Sequence, residues 1–379
     1  MPGNSGPTAL PSPDPQALAA SRALLDRIGA ELGAAGDWIS FARYMELVLY
    51  EPGLGYYAAG ACKLGADGDF VTAPELSPLF GRTLARQVAQ LLQPGDAILE
   101  FGAGSGALAE TLLSEFENIE YKILEPSAEL ADRQRKRIGN KAKWIDHLPQ
   151  HFRGVMLANE VVDAMPVHTL AWTRAGVLER GVRANEGQLA WSDRAASGLV
   201  LARARELEIE IPPSGRYESE LALFARAWMA SLGRLLERGA LLVIDYGFPA
   251  REYFHPQRSM GTLACHYRHR VHGDPFYLPG LQDVTAHVDF SALARAASDA
   301  GLEVLGFANQ AQFLVNCGIT DLLAEENPAD PKRYLPAAAA AQKLLSPSEM
   351  GELFKVFAVG KGVRDPLMGF SRGDRSGTL

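Results

Sequence analysis

Three glycines alternate with small residues in Ile98-Leu99-Glu100-Phe101-Gly102-Ala103-Gly104-Ser105-Gly106-Ala107-Leu108, directly after a short aliphatic run. Where a strand turns into a helix, glycine lets the backbone come close to a ligand, and the free N–H groups of the helix start can face it. The spacing departs from GxGxxG, and Glu100 stands two residues before the first glycine. A carboxylate there repels a pyrophosphate but can hold an ammonium group. The pattern therefore favours S-adenosylmethionine, an amino-acid sulfonium without phosphate, over NAD or FAD. Glu125 ends the next expected strand, where both carboxylate oxygens can grasp a ribose diol. Glu100, Gly102, Gly104, Gly106 and Glu125 form the expected cofactor set.

Ligands of parallel sheets collect at the carboxyl ends of the strands, and three further positions fit that rule. Asp146 follows the third expected strand, where it either approaches an adenine or caps the turn at His147-Leu148-Pro149. Asn159-Glu160-Val161-Val162-Asp163-Ala164-Met165-Pro166 follows the fourth, beside the expected place of a transferable methyl; the competing reading is a turn capped by Asn159. Asp245-Tyr246-Gly247 follows the fifth, as a substrate contact or as an Asx turn. His287 is a candidate substrate contact, although Asp289 capping a helix from Phe290 explains the same stretch without chemistry. Cys265-His266-Tyr267-Arg268-His269-Arg270-Val271-His272 has no second cysteine and no zinc-ligand spacing, so no metal is expected. Arg268 and Arg270 in that stretch are read as a surface facing an acidic partner.

The elements that must position these residues follow from periodicity. Short β-branched or aliphatic runs at 97–101, 120–124, 143–145 and 154–159 alternate with helical segments at 107–116 and 128–137, which implies a parallel, doubly wound α/β sheet. Residues 240–245 form the most apolar run and are expected at its centre. The expected organisation is a disordered tail at 1–15, a helical and lid region at 16–93, and the first part of a Rossmann-like cofactor-binding core at 94–175. An antiparallel and helical insertion at 176–238 follows, with a long helix expected from Ser219 to Glu237. The rest of the core at 239–362 carries a loop-rich insertion at 248–288 and a helical one at 310–350, and 363–379 is expected to be a flexible tail. Thr72 to Glu75 and Tyr56-Tyr57, framed by Gly and Pro, read as a lid over the cofactor.

The 379 residues carry 37 Lys plus Arg against 45 Asp plus Glu, a net charge of -8, which is a poor field for coating a nucleic acid. The three cysteines Cys62, Cys265 and Cys317 make neither a disulfide framework nor a zinc pair, so a reducing, cytoplasmic setting is expected. No run is apolar enough to span a bilayer, and the N-terminal stretch lacks the basic start of a signal peptide and the Arg-rich helix of a mitochondrial transit segment.

Longer strings carry a resemblance. Tyr44-Met45, Tyr50-Glu51-Pro52-Gly53-Leu54-Gly55-Tyr56-Tyr57, Gly68-Asp69-Phe70-Val71-Thr72-Ala73-Pro74-Glu75, Leu79-Phe80-Gly81, Asn159-Glu160, Asp163-Ala164-Met165-Pro166, Asp283-Val284-Thr285-Ala286-His287-Val288-Asp289-Phe290, Gln312-Phe313-Leu314 and Met350-Gly351-Glu352-Leu353-Phe354-Lys355 resemble the MidA-like methyltransferases over nearly the whole chain. Ala103 and Ser105 stand where that family often has Pro and Arg. The resemblance implies a class I S-adenosylmethionine-dependent methyltransferase whose N-terminal region folds over the cofactor. It also implies an arginine of a protein as acceptor, a 49-kDa-type subunit of respiratory complex I in the family's mitochondrial member. Arginine is protonated and poorly nucleophilic at neutral pH, so carboxylates must hold its fork and enrich one nitrogen. Glu160 and Asp163 are the first candidates for that role and Glu75 the next, with Asn159 beside them in the catalytic set and Thr72 at the cofactor. The rivals are a non-catalytic cofactor-binding assembly chaperone, a dinucleotide oxidoreductase, and a methyltransferase acting on a small molecule or RNA.

Overall fold

The computed structural model describes residues 10–58 and 72–379. Residues 1–9 of the expected tail, Cys62, and Gly68 to Val71 of the expected lid lie outside the described residues.

The central sheet contains β1 (Ala97–Phe101), β2 (Glu120–Leu124), β3 (Lys143–Ile145), β4 (Phe152–Asn159), β5 (Leu236–Phe248), β6 (Glu303–Asn309) and β7 (Phe354–Lys361), in the order β3-β2-β1-β4-β5-β7-β6. The first five run parallel, while β7 is antiparallel to both β5 and β6. The two-residue strand Val288–Asp289 extends the end of β5. Successive side chains point to opposite faces. Ile98, Val155 and Leu242 accordingly pack in one core with Leu108 and Phe313. Leu99, Met156 and Val243 pack in another with Phe290 and Phe357. Burial on both faces explains why β1 and β5 read as continuous apolar runs rather than alternating ones.

A second, antiparallel sheet contains residues 168–173, 176–185, 188–195 and 216–221, and Ile39–Ser40 near the N-terminus joins its edge. Helix α1 (Pro15–Ala34) and helix α2 (Phe41–Tyr50) belong to the same unit: Leu24, Phe41, Tyr44, Val182, Cys265 and Val284 share one core. Ser40 caps α2 through its side chain, as its position before the helix predicts. Segments far apart in the chain thus meet in one layer.

Two expectations are corrected here. The helix expected from Ser219 to Glu237 is a strand at Arg216–Leu221 followed by a helix at Leu223–Leu235. Pairing with 168–173 and the Trp172–Tyr217 ring contact at 6.2 Å outweigh local helical preference. The C-terminal stretch, expected to fray, packs against the body: Leu367 and Phe370 are buried, the Phe370 ring lies 5.3 Å from that of Phe313, and the Arg375 N–H donates to the Phe307 carbonyl at 2.6 Å. Part of 248–288 is also ordered, as a three-stranded sheet of 264–267, 270–272 and 283–285.

Candidate active site

A cavity of about 470 Å³ opens where β1, β2 and β4 end, within the range of roughly 300–1,000 Å³ typical of cofactor sites. The glycine loop forms one wall. Gly102, Gly104 and Gly106 have φ of 55°, 56° and 82°, values that side chains strain to adopt, and Gly106 caps the helix Ala107–Glu115. A Cβ on Gly102 would sit 3.3 Å from Val161 Cγ2, so the loop lies against the turn after β4. Glu100 is buried beneath the loop and accepts a hydrogen bond from the Tyr121 hydroxyl at 2.6 Å. Burial pushes its carboxyl up to about 7, the Tyr121 bond opposing and the Glu125 charge adding to that rise. Glu125 is oriented through both oxygens, accepting from the Ser127 N–H at 3.0 Å and the Gln134 amide at 2.9 Å, and burial raises its pKa as well. The cavity wall continues through Leu124, Leu130, Leu148 and Trp228.

The turn after β4 brings a second group to the same cavity. Glu160 has φ of 54°, a left-handed conformation for a residue with a side chain, and its N–H donates to the Ile244 carbonyl at 2.8 Å. One oxygen of its carboxylate receives the Asn159 amide at 3.2 Å and the Ala73 N–H at 3.4 Å. Burial, with the charge of Asp163 next, raises its pKa to about 8. Beneath the turn, the fully buried Asp245 carboxylate accepts from the N–H groups of Val161, Val162 and Asp163 at 3.2, 2.9 and 3.2 Å and from that of Tyr246 at 2.9 Å. That grip holds the left-handed turn in place. Burial and the neighbouring charges of Asp163 and Glu160 push the Asp245 pKa well up. Asp163 is hydrogen-bonded to the Tyr246 hydroxyl, and burial raises its pKa to about 6. Tyr50 and Tyr57 stack 5.7 Å apart on the cavity wall, and the Tyr57 hydroxyl donates to Asp283 at 3.0 Å.

A family model described as "Putative S-adenosyl-L-methionine-dependent methyltransferase" matches residues 79–308, which includes the glycine loop, Glu125 and the turn after β4. The chain belongs to this family. The family's fold appears in a crystal structure from Burkholderia thailandensis bound to S-adenosyl-homocysteine, 49% identical, with TM-score 0.93, covering 98% of this chain and 100% of that one. Two proteins named mitochondrial protein arginine methyltransferases are more distant. That of Danio rerio is 29% identical over 89% of this chain and 87% of its own length. The Drosophila melanogaster homolog is 28% identical over 97% of this chain and 95% of its own length.

Of the residues singled out in the sequence of this family member, Glu100, Gly102, Gly104, Glu125, Thr72, Glu75, Asn159 and Glu160 line the cavity. Gly106 sits just behind the loop at the helix start. Glu75 is engaged by the Ser105 hydroxyl and by Arg137 at 3.4 Å, so it fastens the Thr72–Glu75 turn to the glycine loop. Asp163 and Asp245 lie behind the cavity wall, one hydrogen-bonded to Tyr246 and the other to the backbone of the turn. The substrate contact expected of Asp245 is corrected accordingly: its oxygens are already taken by four N–H groups. Asp146 has a side chain 92% exposed, pairs with His147 and is not among the residues lining the cavity; Leu148 lines it from the same turn. His287 is packed between Tyr246 and Phe248, each ring 5.2 Å away, outside the lining of the cavity, and burial pushes its pKa down to about 4. Among the described residues no cluster of His, Cys, Asp and Glu is arranged to hold a metal, and no helix is long and apolar enough to cross a membrane. Four residues outside the expected set, Tyr50, Gln134, Trp228 and Asp283, line the cavity or support its walls. Tyr50 and Asp283 stand in the strings that carry the resemblance, Gln134 and Trp228 within expected helices, and none of the four has a local pattern that marks it as part of a site.

Proposed function

We propose that the chain binds S-adenosylmethionine and places its methyl group on an arginine side chain of a protein. The carrying observation is that one cavity joins the positive-φ glycine loop, Glu100 and Glu125 to Glu160 and the stacked pair Tyr50 and Tyr57. The residues fit the cofactor. Glu100 and Glu125 are carboxylates in a buried setting that resists their ionisation, and a cation restores it. Glu100 would hold the amino group, Glu125 the ribose hydroxyls, the glycine loop the amino-acid portion, and Leu124, Leu130 and Leu148 the apolar face of the base. When bound, S-adenosylmethionine supplies a methyl group on a positively charged sulfur, an electrophile for a nitrogen lone pair.

This chain's residues then do three things. The acceptor cation restores the ionisation that burial opposes at Glu160, and the resulting carboxylate orients that cation through its other oxygen and takes up the proton that the nitrogen loses. Asp245 keeps the turn rigid so that Glu160 stays in place. Tyr50 and Tyr57 offer π faces, which suit a planar guanidinium better than a compact ammonium. The named arginine methyltransferases among the relatives support this acceptor class. A 49-kDa-type respiratory complex I subunit is the acceptor that the family resemblance points to. The test is transfer of labelled methyl from S-adenosylmethionine to a lysate of the source cell, followed by mass spectrometry of the labelled molecule. Methylarginine in a protein is the expected product. Label in RNA or a small molecule would overturn the acceptor, and cofactor binding without any label would leave an assembly chaperone.

A further inference from the structure

The helix Ala128–Ile138 is polar except along one stripe, where Ala131, Gln134 and Ile138 are buried. A glutamine with no exposure occupies a position that core packing normally gives to an apolar residue. All of its polar atoms are engaged. Its amide nitrogen donates to the Gly104 carbonyl at 2.9 Å and to Glu125 Oε2 at 2.9 Å, while its oxygen accepts from the Trp144 indole N–H at 2.8 Å. The orientation of the amide is fixed by these partners, because two are acceptors and one is a donor. Flipping it would set oxygen against oxygen twice and N–H against N–H once.

These contacts join two parts of the cofactor site that are separate in sequence: the middle of the glycine loop and the acid at the end of β2. Glu125 Oε1 is already held by the Ser127 N–H at 3.0 Å, so Gln134 supplies the second point that fixes the plane of the carboxylate. Gln134 also lies beside the end of the loop: a Cβ on Gly106 would be in ordinary van der Waals contact with Gln134 Cγ, at 3.4 Å.

We propose that Gln134 is a positioning residue for cofactor recognition, aiming Glu125 at the ribose hydroxyls and holding it in register with the glycine loop. This rests on the cofactor reading above. A buried brace with a merely structural role weakens every ligand alike, whereas an aiming role acts on ribose recognition.

The experiment is calorimetric titration of the full chain with S-adenosylhomocysteine and with its 2′-deoxy analogue, for wild type and Gln134→Leu. Wild type is expected to prefer the ribose form by about tenfold, the size of one charge-assisted hydrogen bond. In Gln134→Leu that preference is expected to fall to within about twofold. An undiminished preference in the folded variant overturns the proposal. If wild type binds neither ligand, the cofactor reading itself fails, which is a different result. Should Gln134→Leu not fold, Trp144→Phe, which removes only the outer tether of the amide, is titrated in the same way. An intermediate preference supports the proposal, and a preference equal to wild type overturns it.

Discussion

The two ends of the cavity are built differently. At the glycine loop, cavity-facing atoms come from a continuous stretch, Glu100 to Ser105, with Glu125 one strand away; the geometry is that of a strand entering a helix. At the turn after β4, Glu160 is held by Asn159 beside it, by Ala73 from the N-terminal region and by Asp245 under the turn, and Tyr50, Tyr57 and Asp283 come from two further places in the chain. The first end is a local backbone device and the second a tertiary assembly. The difference matches their work. Cofactor recognition can be shared by many proteins, whereas an acceptor must be distinguished by a particular set of side chains.

Substitutions separate the two ends. Glu160→Gln is expected to lower methyl transfer by about a hundredfold or more, since a positioned proton acceptor contributes on that order. Asp245→Ala leaves four N–H groups without their acceptor and should lower unfolding stability by about 2–4 kcal/mol in denaturant titration. Its turnover should fall tenfold or more while cofactor affinity changes little, because the damage lies under Glu160. At the other end, Gly102→Ala forces a side chain into φ of 55°, a strain of about 1–2 kcal/mol, and should weaken S-adenosylhomocysteine about tenfold in calorimetry. The pH dependence sharpens the same contrast. Glu160, Asp163 and Glu100 have folded pKa values of about 8, 6 and 7, above their values in the unfolded chain. These three groups therefore hold more protons in the folded chain than in the unfolded one, and their contribution to stability is full below about pH 4 and is lost as pH rises through about 8; His287, lowered from 6.5 to about 4, works in the opposite sense only below pH 6.5, so above that pH these groups together give a fall. Thermal melts of the ligand-free protein should show this fall, and Glu160→Gln should flatten its upper part. Asp146→Ala, at the exposed edge, should change neither binding nor transfer by more than about twofold.

The fold was legible wherever local signals and tertiary packing agree. Ser40 and Asp289 cap helices as their positions indicate, and the alternating strands and helices form the parallel sheet. Residues 216–221 carry no local strand signal strong enough to outweigh the helical pattern that follows, and only pairing with 168–173 makes them a strand. Phe370 was hidden by its polar, glycine-rich neighbours, although one aromatic anchor is enough to fasten a tail. In the site, the carboxylates were readable because they follow strand ends, but the sequence does not show which way each one turns. Asp146, just past the end of β3, faces solvent, and Asp245, three residues before the end of β5, faces the backbone of the turn after β4. Gln134 and Trp228 sit within ordinary helices, and only their contacts mark them as part of the cavity and its supports.

The division of the cavity is tested most directly by titrating S-adenosylhomocysteine into purified Glu160→Gln. The expected result is an affinity within about twofold of wild type in a variant that no longer transfers methyl groups. A loss of tenfold or more in that affinity would contradict the division, because Glu160 would then belong to the cofactor end.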